Sequence, residues 1–417
     1  MRNAEDFLKG LFRVGIESAD PIKVLAEYLP KKLSKGRLIV IGAGKASAMM
    51  AKAVEKAWPE VEMDGLVVTR YGYGVVTEKI KIIEASHPVP DEAGQQACHE
   101  IMQLVNDLRE DDLVIALVSG GGSALLSLPA PCLSYDEKCD INRHLLNCGA
   151  PIHAMNCLRK HISGIKGGRL AVAAAPAKVL TLLISDVPGD DPFAIASGPT
   201  LPDPTTQAQA LDVVDKYDVP ISETVRAWLS DPANETPKAN HPAFAKNETI
   251  IIARCQDALE AAAQCAKVEN ITPVMLGDDI EGEACLVGES HVELAFDYIG
   301  KGGHILLSGG ETTVTIKGQG GKGGRNTEYL LAAMIAANGN ECVYGIACDT
   351  DGIDGSEDNA GAFFSPDTIV KAKALGLNPV EFLNNNDAYS FFKAVDGLVV
   401  TGPTFTNVND FRALLVL

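Results

Sequence analysis

Short apolar runs alternate with amphipathic stretches along nearly the whole chain. Arg37 to Ile41, Leu66 to Thr69, Ile80 to Glu84, Leu113 to Val118 and Lys178 to Ser185 are apolar runs of strand length. A helical stripe of Met49, Met50, Ala53, Val54 and Ala57 follows the first of them. Buried strands separated by helices predict a parallel sheet covered on both faces. Covering helices are expected over residues 3 to 29, where Phe7, Leu8, Leu11 and Phe12 share a face before the break at Asp20-Pro21. Further helices are predicted near 91–109, 136–148, 152–163, 206–216 and 222–229. From Gly198 to Asn247 the chain is rich in Pro and Asn, the composition of an interdomain connection, which puts a boundary near 235. Beyond it, strands are predicted at 248–253, 271–276, 304–307, 312–316, 343–347 and 398–400, with helices near 256–267, 281–299 and 326–337. Thr312 to Ile316 alternates polar and apolar, so a mixed second sheet is expected. The pattern is α/β throughout, in two domains of residues 1–235 and 236–417.

The length of 417 residues exceeds one ordinary core and agrees with two domains. With 46% apolar and 22% charged residues, the composition is that of a soluble globular protein. A formal charge of −19 argues against nucleic acid or an anionic membrane as the main partner, and it makes any cluster of cations informative. The ten cysteines include no C-x-x-C, and the spacing of Cys132, Cys139, Cys148 and Cys157 fits no zinc site, so they read as reduced thiols. The acid-bearing start MRNAEDFLKGLFRVGIESADP is no signal peptide, and no segment reaches membrane-spanning length, so a cytoplasmic location is expected.

Three glycine turns follow predicted strands: Gly42-Ala43-Gly44-Lys45, Ser119-Gly120-Gly121-Gly122-Ser123 and Ser308-Gly309-Gly310. The last leads into the loop Gly318 to Arg325, which carries Lys322 and Arg325 among its glycines. Any one of these is an ordinary tight turn, whereas three such turns together point to phosphate handling. Lys45 sits where a helix starts, yet Ile39 and Ala46 break the Walker A pattern. Ser47 and the strand end Thr69-Arg70 break the dinucleotide fingerprint. Arg159, Lys160, His161, Lys166 and Arg169 gather cations in an acidic chain, either for internal salt bridges or for a bound anion. Arg159 and Lys166 would share a face if the helix persists.

Asp186, Asp190 and Asp191 lie past the carboxyl end of a strand, where ligands collect in open parallel sheets. They can hold Mg²⁺ or take a proton; turn chemistry is the plainer alternative, and Asp186 is preferred because it adjoins the strand. The run Asp349 to Gly355 fails as a calcium loop, leaving Asp351 and Asp354 as candidates for hydroxyl or magnesium contacts. No cysteine or histidine pairs as nucleophile and base, and Ser119 and Ser123 lack the nucleophile elbow. Glycine turns, separate cations and strand-end carboxylates are the parts of phosphoryl transfer, which is catalysed by positioning and charge neutralisation.

In order along the chain, GAGKAS (42–47), VSGGGSALL (118–126), RKHISGIKGGRLA (159–171), LISDVPGDDPFAIASGPT (183–200), LLSGGETTVTIKGQGGKGGRN (306–326), DTDGIDGSEDNAGA (349–362) and TGPTFTNVND (401–410) resemble the class II glycerate kinases. The resemblance implies a Rossmann-like, three-layer α/β/α amino domain, a leucine-rich carboxyl domain, and an active site in the cleft between them. It implies phosphorylation of D-glycerate by ATP with Mg²⁺, usually at the 2-hydroxyl. Lys45, Arg325 and Asp186 take the family's catalytic positions. Its binding motifs fall on Gly44, Ser119 to Ser123, Arg159, Lys166, Ser308, Gly309, Gly310, Glu311, Asn326, Asp351, Thr404 and Asn407, with Asp190 and Asp191 as metal candidates. The expected partners are small molecules, with the chain a monomer or homodimer. Two positions depart from the pattern: Phe405 stands where the family usually has glycine, and Thr327 where it often has glutamine. Members of this family have also been labelled hydroxypyruvate reductases of tartrate breakdown, so an NAD(P)H-dependent reductase is the alternative, and a non-catalytic nucleotide-binding protein the third reading.

Overall fold

The computed structural model describes residues 4–33, 35–317 and 320–417. Gly318 and Gln319, the first residues of the expected glycine loop, lie outside the described residues. Two units are formed, one from Val24–Ser185 and Asp191–Ile252, the other from residues 4–23, Asp186–Asp190 and Ala253–Leu417.

In the first unit a six-stranded sheet is built from β1 (Leu38–Ala43), β2 (Asp64–Arg70), β3 (Ile80–Ala85), β4 (Leu113–Val118), β5 (Lys178–Ile184) and β6 (Glu248–Ala253). Their order is β3-β2-β1-β4-β5-β6, and β1 to β5 pair parallel. Every residue of β1 and β4 is buried, as continuous apolar strands covered on both faces must be. The order reverses between β1 and β4, whose last residues Ala43 and Val118 are in register. The glycine turns that follow these two strands therefore lie side by side at the topological switch point.

The boundary expected near 235 falls inside this unit, because β6 completes its sheet. Nor are residues 198–247 a connection. The helices Gln207–Lys216 and Glu223–Ser230 bury Val213, Val214, Val225 and Leu229 in one apolar cluster with Ile141, Leu145 and Leu158 of the helices Tyr135–Asn147 and Ile152–His161. That cluster fixes the two helices that carry Lys138, Asn142, Arg143 and Arg159 of the site described below.

The second unit holds a mixed sheet, β13-β12-β11-β14-β9-β7, from β7 (Thr272–Gly277), β9 (His304–Ser308), β11 (Val343–Asp349), β12 (Gly361–Phe364), β13 (Leu398–Val399) and β14 (Asp410–Val416). Among the described residues of this sheet only β7 and β9 pair parallel; β11 is antiparallel to both neighbours. The strand expected over 312–316 is the two-residue β10 (Thr312–Thr313), paired with β8 (Gly282–Glu283). The opening helix Ala4–Ser18 packs Leu8, Leu11 and Phe12 against Leu259 and Ala262 of the helix Cys255–Val268 in this same unit.

Candidate functional site

At the switch point of the first sheet, Gly44 has φ +141°, and a Cβ there would stand 2.1 Å from Ser119 Oγ, so the two turns interlock only through glycine. The Ala46 N–H donates to Ser119 Oγ at 3.0 Å, and the Lys45 N–H to the Gly120 carbonyl at 2.8 Å. Gly121, at φ +78°, has the stem of Lys45 and the His87 ring against it. Ser119 and Gly120 thus spend polar groups on holding the Lys45-Ala46 backbone in place, and a Cβ on Gly122 would stand 2.8 Å from that of Ala196, so its place is taken by packing.

Beside these turns opens a cavity of ≈ 290 Å³ whose wall includes Gly121, Ser123, Lys138, Arg143, Arg159 and Lys166. That is the small end of ligand sites and fits a small anion better than a nucleotide. No Asp or Glu lines it, although the chain carries 55 of them. Lys138 and Lys166 are each 2% exposed. Among the described residues no carboxylate pairs with Lys138, Arg159 or Lys166. Lys138 Nζ donates to the Leu128 carbonyl at 2.8 Å, and Lys166 Nζ to Ser123 O at 2.7 Å and Ser123 Oγ at 3.1 Å. Arg159 Nε donates to Asn142 Oδ1 at 3.1 Å. Burial pushes the Lys138 ammonium down to about 8; burial and then the like charges of Lys138 and Arg159 hold Lys166 well below the usual lysine range. Buried, mutually repelling cations without a counter-ion are costly alone, and an anion in the cavity offsets that cost.

Of the five basic residues between 159 and 169, Arg159 and Lys166 reach this cavity. The other three serve the scaffold: Lys160 pairs with Asp203 at 2.7 Å, His161 Nε2 lies 2.9 Å from Glu235, and Arg169 donates to the Asn234 carbonyl at 2.8 Å. The expected shared helical face is absent, since the helix ends at His161. Lys166 comes back to Arg159 through the turn that follows. Lys138, Asn142, Arg143 and His87 were not anticipated. Lys138 occupies the stripe of Ile141 and Leu145 on its helix, and a lysine at an apolar position is the signal that could have found it.

In the second unit Arg325 is clamped by three carboxylates: Nε to Asp410 at 2.8 Å, Nη1 to Glu311 at 2.5 Å and Nη2 to Asp349 at 3.1 Å. These three contacts leave one N–H on each terminal nitrogen, and the side chain is 24% exposed. Asn326 Nδ2 donates to Asp410 at 2.7 Å, and Asp410 also pairs with the buried Arg412. Arg412 in turn donates to the Gly309 carbonyl at 2.9 Å. A Cβ on Gly309 would meet Cys255 Sγ at 2.0 Å, so Ser308, Gly309 and Gly310 are buried packing positions rather than an open cradle. Asp354 is also committed, accepting from the Asn326 and Thr327 N–H groups at 2.9 and 2.8 Å. Thr404 donates to the Thr350 carbonyl at 2.5 Å, and Asp351 accepts from the Ile353 N–H at 2.8 Å. Asn407 Nδ2 donates to Asp186 at 2.9 Å, which orients that carboxylate. Phe405, between them, has φ +61°, the backbone for which glycine is suited.

Asp190 lies 3.8 Å from the Arg254 guanidinium, and Asp191 accepts from the Phe193 N–H at 3.0 Å. Among the described residues no three His, Cys, Asp or Glu side chains are grouped to hold a metal ion. Mg²⁺ commonly needs only one or two carboxylates when phosphates supply the rest, and this donor set fits a metal that arrives on a nucleotide, not one resident in a protein cage. No helix among the described residues is long and apolar enough to cross a membrane.

Residues 7–230 match the model of a domain of unknown function, DUF4147, and residues 304–410 that of the MOFRL family. The chain is 48% identical to an Agrobacterium vitis protein named "Putative hydroxypyruvate reductase", over 99% of this chain and 95% of that one. It is 38% identical to the D-glycerate 2-kinase of Thermotoga maritima over 98% and 97% of the two chains, and 39% identical to the glycerate 2-kinase of Pyrococcus horikoshii over 92% and 88%. The crystal structure of glycerate kinase from Thermotoga maritima superposes with a TM-score of 0.90 at 37% identity, covering 99% of both chains. With both domain models met in order and relatives matched end to end, this chain belongs to the glycerate kinase family of DUF4147 and MOFRL domains.

Proposed function

We propose that the protein is an ATP-dependent kinase that phosphorylates D-glycerate at its 2-hydroxyl, giving 2-phosphoglycerate and ADP. One observation carries this reading: a cavity that holds the buried cations Lys138 and Lys166 and is lined by no carboxylate, set beside the glycine turns of the sheet's switch point. Arg159, Lys166 and Lys138 hold the carboxylate of the hydroxy acid, and Lys45 binds a phosphate of the nucleotide. Arg325 offers its two remaining N–H groups to the transferring phosphoryl group. Asp186, oriented by Asn407, directs or deprotonates the acceptor hydroxyl. Asp190 and Asp191 are the residues that would hold Mg²⁺ brought by the nucleotide, and the ion would supply neutralisation of phosphate charge.

The reductase reading has one observation in its favour, the strand order β3-β2-β1-β4-β5-β6, which is that of dinucleotide-binding sheets. The first turn argues the other way. Ser47 fills the third glycine position, and its hydroxyl bonds the carbonyls of Gly44 and Val68 at 2.7 and 2.8 Å. β2 ends in Thr69-Arg70 with no acid for a ribose. Incubation with D-glycerate and MgATP is expected to release ADP and a phosphoglycerate that NMR identifies as the 2-isomer. Hydroxypyruvate with NADH is expected to leave the NADH absorbance unchanged. Oxidation of NADH without ADP release would replace the kinase by a reductase, and ATP binding without either reaction would leave a nucleotide-binding protein.

A further inference from the structure

Ala196, Ser197 and Gly198 are consecutive left-handed residues, with φ of +49°, +58° and +55°. The conformation is unfavourable for an L-residue, so two non-glycines in succession must be held by their surroundings. The holding groups come from one segment. Lys166 Nζ donates to the Ala196 carbonyl at 3.3 Å, the Gly167 N–H to Ser197 O at 3.2 Å, and the Gly168 N–H to Gly198 O at 2.9 Å. The turn buries Ser197 completely and sets its Oγ 3.0 Å from Ser123 Oγ and 3.2 Å from Asn156 Oδ1.

Counting protons fixes the direction of this chain. A hydroxyl has one proton and two lone pairs. Ser197 gives its proton to Asn156 Oδ1, so in the contact with Ser123 it accepts and Ser123 donates. One lone pair of Ser123 takes the Lys166 ammonium, and the other is left for a ligand in the cavity that Ser123 lines. As cations, Lys138, Arg143, Arg159 and Lys166 on that wall can only donate. His87, Ser127 and Cys139 can serve either way, whereas Ser123 has its proton committed elsewhere. We propose that Ser197 is a positioning residue that makes Ser123 an acceptor, so that the cavity takes a carboxylate on its cations and a ligand hydroxyl on Ser123, selecting hydroxy acids over plain carboxylic acids. This deepens, and rests on, the glycerate reading of the same cavity.

The test is calorimetric binding of D-glycerate and of propionate, which keeps the carboxylate and lacks both hydroxyls, to the full-length protein and to S197A, S197G and N156D. S197G also relieves the left-handed backbone. Wild type is expected to prefer D-glycerate. Both serine variants should narrow that preference about tenfold through weaker glycerate binding, with propionate affinity unchanged as proof of an intact cavity. N156D, which keeps an acceptor for Ser197, should retain the preference. An unaltered preference in S197A and S197G would overturn the proposal, and so would its loss in N156D, which would mean that Asn156 donates. Wild type binding neither ligand would overturn the glycerate reading itself, and this proposal with it.

Discussion

Lys138 is a cation placed where its helix buries apolar side chains, and its ionisation decides what it does. Burial lowers its pKa from the ordinary 10.5 to about 8. Below pH 8 it is charged in the folded and unfolded chain alike. Between about 8 and 10.5 the unfolded chain holds the extra proton, so this group makes stability rise with pH across that window. Anion binding runs in the opposite sense, since the cavity loses a positive charge as pH passes 8. D-glycerate affinity measured by calorimetry should therefore fall several-fold between pH 7 and pH 9, and the fall should flatten in K138M; a slope unchanged in that variant would remove Lys138 from the site. Phe405 offers a second single-residue test. Glycine normally destabilises relative to alanine, but at φ +61° the order should invert. With the aromatic ring removed in both variants, F405G should exceed F405A in unfolding free energy by about 1 kcal/mol in urea titrations. An equal or reversed order would mean that the loop relaxes out of the left-handed region.

At the scale of elements, the amino end of the helix Arg325–Ala337 is closed by Asp354 and not left open for phosphate. The carboxylate takes the Asn326 and Thr327 N–H groups and the Thr327 hydroxyl at 2.8–2.9 Å, and it is wholly buried. D354A should cost about 1–3 kcal/mol in denaturant unfolding, since those donors lose their acceptor. Burial raises the Asp354 pKa against its ionised form, so the neutral isostere in D354N should cost less than D354A; a cost equal to that of alanine would show that the charge itself is required. This cap also explains part of what the sequence made visible and what it hid. The strands of the first sheet were legible because buried parallel strands are unbroken apolar runs, and Arg159 and Lys166 because cations stand out in an acidic chain. β14 was not, although all seven of its residues are buried, because Asp410 and Arg412 lend it a polar look that only their mutual ion pair removes. Asp410 lies 85 residues from the Arg325 it grips, and no local spacing encodes that meeting. Thr327, a departure from the family pattern, proves to be tied to Asp354.

Over the whole molecule, a formal charge of −19 surrounds a cavity lined by Lys138, Arg143, Arg159 and Lys166 and by no carboxylate, so distant and local fields act on an anionic ligand with opposite signs. At about 10 mM ionic strength the Debye length is roughly 30 Å, and the ligand meets the repulsion of most surface acids. Near 150 mM it shrinks to roughly 8 Å, which screens those acids and leaves the buried Lys138 and Lys166 and the half-buried Arg159, a few ångströms from a ligand in the cavity, largely unscreened. Steady-state kcat/KM for D-glycerate, measured at saturating MgATP, should therefore rise modestly, by up to a few-fold, as an inert salt such as potassium chloride is increased from 10 to 150 mM. A protein whose net charge attracts the substrate shows the reverse. A steady decline across the same range would mean that the cavity's cations are exposed to screening and bind the anion at the surface, contrary to the burial on which the assignment of the site depends.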